Sequence, residues 1–417
     1  MSSDNQISRR SLLTSAASLA AAPAMLAQRN SNDRIGVAML GVGTRGIYLL
    51  EQAQECPNTE IRVICDLYDS NLQRAAKTAF NKNAQLTKDW KKALATPGID
   101  AVFIATPDFW HATMATAAAQ AGKHVYVEKA LCRTLDEAKM IRKAVKDNHV
   151  VLQLGHHQNS DPYFTKAREI FRTGQLGKVA LCRTYIDRTN PWPEWQFYTA
   201  YNITETPKDA NQQTIDWERW IANAPKRDFD VQRFFRWRCW WDYGTGIAGD
   251  LMSHQWDGVN MIVGMGIPEA LQTMGGLYFW KEDREVPDQW HVMMEYPKKD
   301  MNVTFACTFH NRHHGTNTYI MGRDATIEVH TDWCKLYDAE WKPGNARKAG
   351  TPDYSMKKGE LEVTTHMRNF IDCIRSGETP RCGIDRAWEE AVTVVMSVEA
   401  FRKERKVRWD PVNEQIV

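Results

Sequence analysis

No apolar run in this chain reaches the ~20 residues that a membrane-spanning helix needs, so neither a span nor a stable membrane anchor is expected. Net charge is scant as well. With 53 Lys and Arg against 51 Asp and Glu, there is no basic excess to hold nucleic acid or an anionic bilayer surface. The nine cysteines contain no C-x-x-C pair and form no regular framework. Those inside apolar runs, Cys65 and Cys307 among them, read as small buried hydrophobes. The histidine pairs His156-His157 and His313-His314 are adjacent, a spacing that points two rings apart on regular structure, so no metal site is expected.

What the chain does hold is core material. A composition of 43% hydrophobic and 25% charged residues describes a globular protein without a disorder signature. A length of 417 residues is more than one ordinary core, which favours two domains. Aromatics are unevenly spread: of sixteen tryptophans, seven fall between Trp192 and Trp241.

The first thirty residues read as an address. Ser8-Arg9-Arg10-Ser11-Leu12-Leu13 precedes a mild apolar stretch ending in Ala22-Pro23-Ala24, the pattern of a cleaved export signal with a basic pair. Paired arginines point to the twin-arginine export machinery, with cleavage near residues 24–28 and a periplasmic or otherwise exported product. That route carries folded proteins, so a cofactor could be loaded before export, and an odd cysteine count suits folding in a reducing compartment.

From residue 33 to 154 the pattern is that of a Rossmann domain. Apolar runs at Ile35–Leu40, Ile61–Cys65, Ala101–Ala105, Val125–Val127 and Val150–Leu154 read as buried parallel strands. Helical stretches are expected between them at Thr44–Gln54, Asn71–Phe80, Ala112–Ala121 and Leu135–Asn148. Gly41-Val42-Gly43-Thr44-Arg45-Gly46 follows the first strand and opens the first helix. Gly41 suits a tight turn, Gly43 lets backbone approach a pyrophosphate, and Gly46 lets helix pack on strand. The N–H groups at Thr44 and Arg45 then face the phosphates. Asp66, at the end of the second strand, can accept from both adenine-ribose hydroxyls and would repel a 2′-phosphate, which favours NAD over NADP.

Further motifs resemble the Gfo/Idh/MocA family of sugar and polyol oxidoreductases. They are Ala105-Thr106-Pro107 with His111, Val127-Glu128-Lys129, and Gly249-Asp250 with His254. The stretch His366–Asp372 and the closing Val407-Arg408-Trp409-Asp410 match it too, so the resemblance runs from Arg34 to Asp410. It implies that Glu128-Lys129 ends a strand beside the nicotinamide, with Lys129 reaching the substrate hydroxyl. Family members usually carry proline after that lysine, where this chain has Ala130. Thr106, Pro107 and His111 would line the nicotinamide side of the cleft, although His111 serves equally well as a packing residue of the helix it starts.

Asp250 and His254 lie four apart in a segment, Asp250 to Ile262, that reads as helix, so both fall on one face. By themselves such a pair also fits a structural role. With the resemblance, His254 would take the hydroxyl proton, Asp250 would orient the ring or pass the proton on, and Lys129 would offset developing alkoxide charge. Asp257 shares that helix face, as a sugar ligand or as a surface charge.

From Gly155 to residue 417 the pattern is α/β, with strands at Val179–Arg188, Gln272–Trp280, His291–Tyr296, Asn302–His310, Asn317–Met321 and Thr326–His330. Helices are expected at Tyr163–Thr173, His366–Arg375 and Trp388–Lys403, which together suit a mostly antiparallel open sheet. His157 leaves the last Rossmann strand toward the cleft. Residues 190–246 form an aromatic-rich arm or lid, in which Trp240, Trp241 and Tyr243 are the candidates for a carbohydrate pocket. The resemblance also implies a homo-oligomer through the open sheet face.

The expected function is hydride transfer between a sugar or cyclic polyol carbinol and tightly bound NAD. The alternative is an NAD-dependent glycosidase that oxidises a sugar hydroxyl transiently, and a non-catalytic sugar sensor is a third possibility. The intact Glu128-Lys129 favours net redox, and a base at His254 argues against a mere sensor.

Overall fold

The structure is a computed structural model that describes residues 34–196, 205–338, 354–357 and 365–417. The expected export signal lies outside the described residues. None of the described helices is long and apolar enough to cross a membrane.

The N-terminal sheet has six parallel strands in the order β3-β2-β1-β4-β5-β6. They are β1 (Ile35–Leu40), β2 (Thr59–Cys65), β3 (Gln85–Thr87), β4 (Ala101–Ile104), β5 (His124–Val127) and β6 (Leu152–Leu154). Every residue of β1 and β4 is buried, because helices cover both faces and leave no polar side to the strand. The chain leaves β1 toward β2 on one side and β4 toward β5 on the other. That reversal opens a crevice at the carboxyl ends of β1 and β4.

Two pieces of this domain carried little sequence signal. β3 is a three-residue edge strand, mostly exposed, and Trp90–Ala95 is a helix of under two turns capped by Asp89. The helix after β4 runs Asp108–Gln120, four residues earlier than its apolar pattern suggests. Ten of its thirteen residues are buried, so it has no polar face to set a period.

The second sheet has ten strands in the order β14-β13-β12-β11-β7-β10-β9-β8-β15-β16. β7 (Val179–Asp187) pairs in parallel with β10 (Met301–Thr308), and every other pairing is antiparallel. β8 (Ala270–Gly276), β9 (Gln289–Tyr296), β11 (Thr316–Gly322) and β12 (Ala325–His330) complete its centre. β13 (Trp333–Asp338), β14 (Tyr354–Lys357), β15 (Val407–Asp410) and β16 (Gln415–Ile416) extend its two edges. Along β9 and β10 burial alternates with the two-residue period of a one-sided sheet. Helices Pro162–Arg172 and Ser253–Val263 cover the inner face, while Met274 and Met293 stand exposed on the other.

The closing helix His366–Ser376 belongs by packing to the first domain. Phe370 meets Phe103 and Tyr126 with ring centroids 5.6 and 5.8 Å apart, and Met367, Ile371 and Ile374 join the same cluster. The sequence places this helix with the second domain, whereas its apolar stripe (strong at a 3.6-residue period) finds its partner across the boundary.

Candidate active site

Gly41 ends β1 with φ 82°, a left-handed turn, and a side chain there would press on the Ala105 backbone 2.8 Å away. At Gly43 a Cβ would meet only Asn71 Nδ2, 3.9 Å off, so the backbone faces open space where the helix Thr44–Gln54 begins. Gly46 sits against the Gly41 carbonyl, where any side chain would collide; it permits the packing and does not line the cleft. Asp66 braces this loop. Its Oδ2 accepts from Val42 N at 2.7 Å, and its Oδ1 accepts from Tyr68 N at 2.9 Å and Asn71 Nδ2 at 3.2 Å. Burial raises the Asp66 carboxyl, partly countered by those donors. The carboxylate still borders the cleft with lone pairs to spare, so a ribose there fits.

A cavity of about 1190 Å³ runs from this loop along the strand ends to the second domain. Single-ligand sites span ~300–1,000 Å³, so there is room for a dinucleotide and a second small molecule. Its wall includes Gly41, Gly43, Thr44, Arg45, Asp66, Thr106, Pro107, Glu128, Lys129 and His157, and its far end holds Asp250 and His254. Glu128 is fixed by Arg45, whose Nε donates to Oε1 at 2.7 Å. Burial alone would raise the Glu128 carboxyl, but the Arg45 charge outweighs it and holds the group below its usual range.

At the far end one carboxylate gathers three donors. Lys129 Nζ lies 2.7 Å from Asp250 Oδ1 and 2.9 Å from the Asp250 carbonyl oxygen. Arg238 Nε donates to the same Oδ1 at 3.1 Å, and Trp195 Nε1 to Oδ2 at 2.8 Å. Burial works against the Asp250 charge, yet Lys129 and Arg238 prevail and hold it well below the normal carboxylate range. The Lys129–Ala130 peptide is cis.

The backbone around Asp250 explains why its side chain turns to Lys129 instead of His254. Ala248–Met252 forms a π-turn, and the regular helix starts only at Ser253, so the four-residue spacing spans a widened turn. Gly249 makes this possible, since a Cβ there would run into Thr245 Oγ1 and Ala130 Cβ. His254 packs edge-on to His156 and His157, with centroids 5.2 and 5.7 Å away. Burial, then the charge of Lys129, holds the His254 imidazole well below 6.5 and therefore neutral. His157 is pushed down to about 4, by burial and then by Arg45, although one edge faces the open cleft. A neutral imidazole beside a fixed ammonium can accept a proton from a hydroxyl whose oxygen the ammonium stabilises.

Of the two readings of His111 the packing one holds, whereas the pocket candidates and both readings of Asp257 are corrected. His111 does not line the cleft: it is 1% exposed, with Nδ1 2.7 Å from the Ala130 carbonyl oxygen and Nε2 2.9 Å from that of Thr106. It ties the Thr106 and Ala130 segments together. Trp240 and Tyr243 are not pocket residues but core, 2% and 0% exposed, and Tyr243 packs on Phe109 and Trp220. Trp241 packs with Trp290 and Phe401. Asp257 is neither sugar ligand nor surface charge: it is fully buried, accepting from Arg386 Nε at 2.9 Å and Asn159 Nδ2 at 2.6 Å.

The aromatic face of the cavity comes instead from Trp90, Trp110, Trp220 and Trp237, and its basic groups from Arg188 and Arg238. Only tertiary placement reveals them, because they come from segments far apart in the chain. The arm is docked on the first domain near Asp66. Ile215 bridges Tyr68 in antiparallel fashion, Asp69 N donates to Thr214 O at 3.0 Å, and Trp110 Nε1 donates to Trp220 O at 2.9 Å. All nine cysteines are buried free thiols, and the described residues hold no cluster of metal-ligating side chains.

Comparison with known proteins gives three matching domain models. One described as oxidoreductase family, NAD-binding Rossmann fold, matches residues 35–156. Two described as the C-terminal alpha/beta domain of that oxidoreductase family match residues 220–409 and 165–272. Levoglucosan dehydrogenase of Pseudarthrobacter phenanthrenivorans is 33% identical over 33% of this chain and 36% of its own length. The scyllo-inositol 2-dehydrogenase (NAD(+)) of Bacillus subtilis is 30% identical over 35% of this chain and 42% of its own. A glycosyl hydrolase family 109 protein 1 of a Shewanella species is 34% identical over 25% of this chain and 24% of its own. The matches thus take in about half or less of the curated relatives' length. A solved levoglucosan dehydrogenase, complexed with NADH and L-sorbose, shares the fold over 91% of this chain and all of its own, with TM-score 0.68 and 20% identity.

Proposed function

The chain belongs to the Gfo/Idh/MocA family of oxidoreductases, its N-terminal domain being the NAD-binding Rossmann domain, and from that premise we propose that it oxidises or reduces a carbinol of a sugar or cyclic polyol. The observation that carries this is the meeting of Lys129, Asp250 and the neutral His254 at the end of one cavity that starts at the glycine loop. When bound, the nicotinamide supplies the hydride acceptor. His254 accepts the hydroxyl proton, Lys129 stabilises the oxygen that loses it, and Asp250 holds Lys129 in place. Thr44, Arg45 and Asp66 would hold the dinucleotide, the helix N-terminus taking its phosphates.

Glycosidase chemistry is the second possibility, since a family 109 glycosyl hydrolase is among the relatives. Incubation with nitrophenyl glycosides plus NAD separates the two. The decisive experiment is a sugar and polyol screen read as reduced-nicotinamide absorbance of the bound cofactor. Lys129→Ala and His254→Ala should each cut turnover by ~10²–10⁴ while the protein stays folded and NAD-bound. Full activity in both would sink the assignment.

Docking of the arm beside Asp66 supports a cofactor retained through many turnovers, and the Arg9-Arg10 pair supports export by the twin-arginine route. Replacing Arg9 and Arg10 by lysine should keep the protein inside the cell, and the mature N-terminus should fall near residues 24–28. The exposed Met274 and Met293 support a homo-oligomer joined through the outer face of the second sheet.

A further inference from the structure

Charge is unevenly distributed at the reactive end of the cavity. Lys129, Arg188 and Arg238 line it together, and the carboxylate among them, Asp250, is already shared by Lys129 and Arg238. Arg188 lies one residue beyond β7, its backbone N–H held by Thr308 O at 2.9 Å. Its side chain is 40% exposed, and Nη1 stands 3.9 Å from Glu194 Oε2, within ion-pair range but too far for a hydrogen bond. Glu194 is turned to other partners: Oε1 accepts from Asn190 Nδ2 at 2.6 Å, and the Glu194 carbonyl oxygen accepts from Arg284. Burial raises the Glu194 carboxyl, and the Arg188 charge opposes that shift. Both cleft histidines are held neutral by burial and by neighbouring cations, so they leave the balance positive.

An arginine on the cavity wall that is partly open and tied only by a long ion pair to Glu194 favours an anion, because a planar fork matches the two oxygens of a carboxylate or the oxygens of a phosphate. Resting on the dehydrogenase reading, we propose that the substrate is an anionic sugar, a uronate or a sugar phosphate, whose charged group is gripped by Arg188 while the reacting hydroxyl lies at His254 and Lys129. Arg238, stacked 4.1 Å over the Trp237 ring and tied to Asp250, lines the same cavity.

The test is calorimetric binding to the NAD-loaded protein of glucose, glucuronate and glucose 6-phosphate, with the galactose series in parallel. An anionic member of either series should bind at least about tenfold tighter than its neutral parent, and which one does so identifies the group. Arg188→Gln should bring that ratio close to one, while Arg188→Lys should retain part of it. Equal affinity for neutral and anionic sugars would overturn the inference, as would a preference that survives Arg188→Gln. Reduced-nicotinamide absorbance is followed in the same samples. Preserved Arg188-dependent anion binding without reduction by any sugar would refute the dehydrogenase reading and leave this one standing.

Discussion

The substitution Asp250→Asn isolates the feature on which the reactive end depends. The carboxylate accepts on both oxygens, from Lys129 and Arg238 on one and from Trp195 on the other. An amide of the same shape has one acceptor and one donor. Whichever way it turns, either the Trp195 N–H or the two cations face an NH₂ group. Two positive groups then lie close together with no counter-charge between them. At ~3 Å and an effective dielectric of about 20, each lost attraction is about 5 kcal/mol gross. Much of this is returned because the carboxylate no longer has to be desolvated, and breaking a buried pair by removing one partner costs about 3–5 kcal/mol net. The side chains of Lys129 and Asp250 are 11% and 15% exposed, so solvent screens the pair only weakly. Chemical denaturation should therefore show a loss of about 3 kcal/mol. Lys129 keeps only the Asp250 carbonyl oxygen as an anchor, so hydride transfer in the folded fraction should slow by ~10²–10³. The control is Asp257→Asn, more deeply buried and bonded to Arg386, which should lose at least similar stability and leave the hydride-transfer step unchanged. An Asp250→Asn protein within 0.5 kcal/mol of wild type on the ~3 kcal/mol scale above, or one that transfers hydride at the wild-type rate, would refute the reasoning.

Three further outcomes can be checked independently. Burial and the Lys129 charge keep His254 neutral well below 6.5, so the acid limb of kcat/KM should fall below that value; a limb at or above it would exclude His254 as the base. His366 is 6% exposed and is pushed down to about 4, first by burial. With its folded pKa depressed, the unfolded chain binds the proton first, so stability is full above about 6.5 and drains as pH falls toward about 4. Its share is about 2 kcal/mol between pH 7 and 5, and urea titrations showing no smaller slope for His366→Asn would contradict this. Trp220→Ala removes a ring that stacks on Trp217 with centroids 4.8 Å apart, at a cost of about 3–5 kcal/mol. It should also speed exchange of bound NAD for labelled NAD, and an unchanged exchange rate would show that the arm does not retain the cofactor.

How far the sequence reaches depends on how local the controlling forces are. β1 and the turn at Gly41 are legible because a doubly covered strand must be apolar throughout, and a left-handed turn calls for glycine. The same logic picks out the core of β9 and β10, where one-sided burial imposes alternation. It fails at β3, whose three residues bury too little to be marked. It fails again at the helix Asp108–Gln120, which is buried on nearly every side and so has no polar face to mark its start. It fails in another way at His366–Ser376, where the apolar stripe is plain but nothing local says which domain it meets.

The reactive end shows the same division at the level of single side chains. Spacing alone puts Asp250 beside His254, on the assumption of a regular turn, but one widened turn redirects the carboxylate to Lys129, 121 positions away. Aromatic content announces that flat faces line something between residues 190 and 246, without saying which. Trp237 and Trp240 are three apart, as on one helix face, yet Trp240 has extended backbone at φ −127° and ψ 138° and turns into the core, while Trp237 lines the cavity beneath Arg238. Composition therefore fixes how many rings the arm carries, and the irregular backbone fixes which of them meet a ligand. The charge balance follows the same rule: Lys129, Arg188, Arg238 and Asp250 come from four separate places in the chain. A nearly neutral chain can in this way build a locally cationic end, because net charge constrains the sum over the surface and not the distribution inside one cavity. This local excess adds to burial in holding His254 uncharged and able to accept a proton, and it would favour an anionic substrate there.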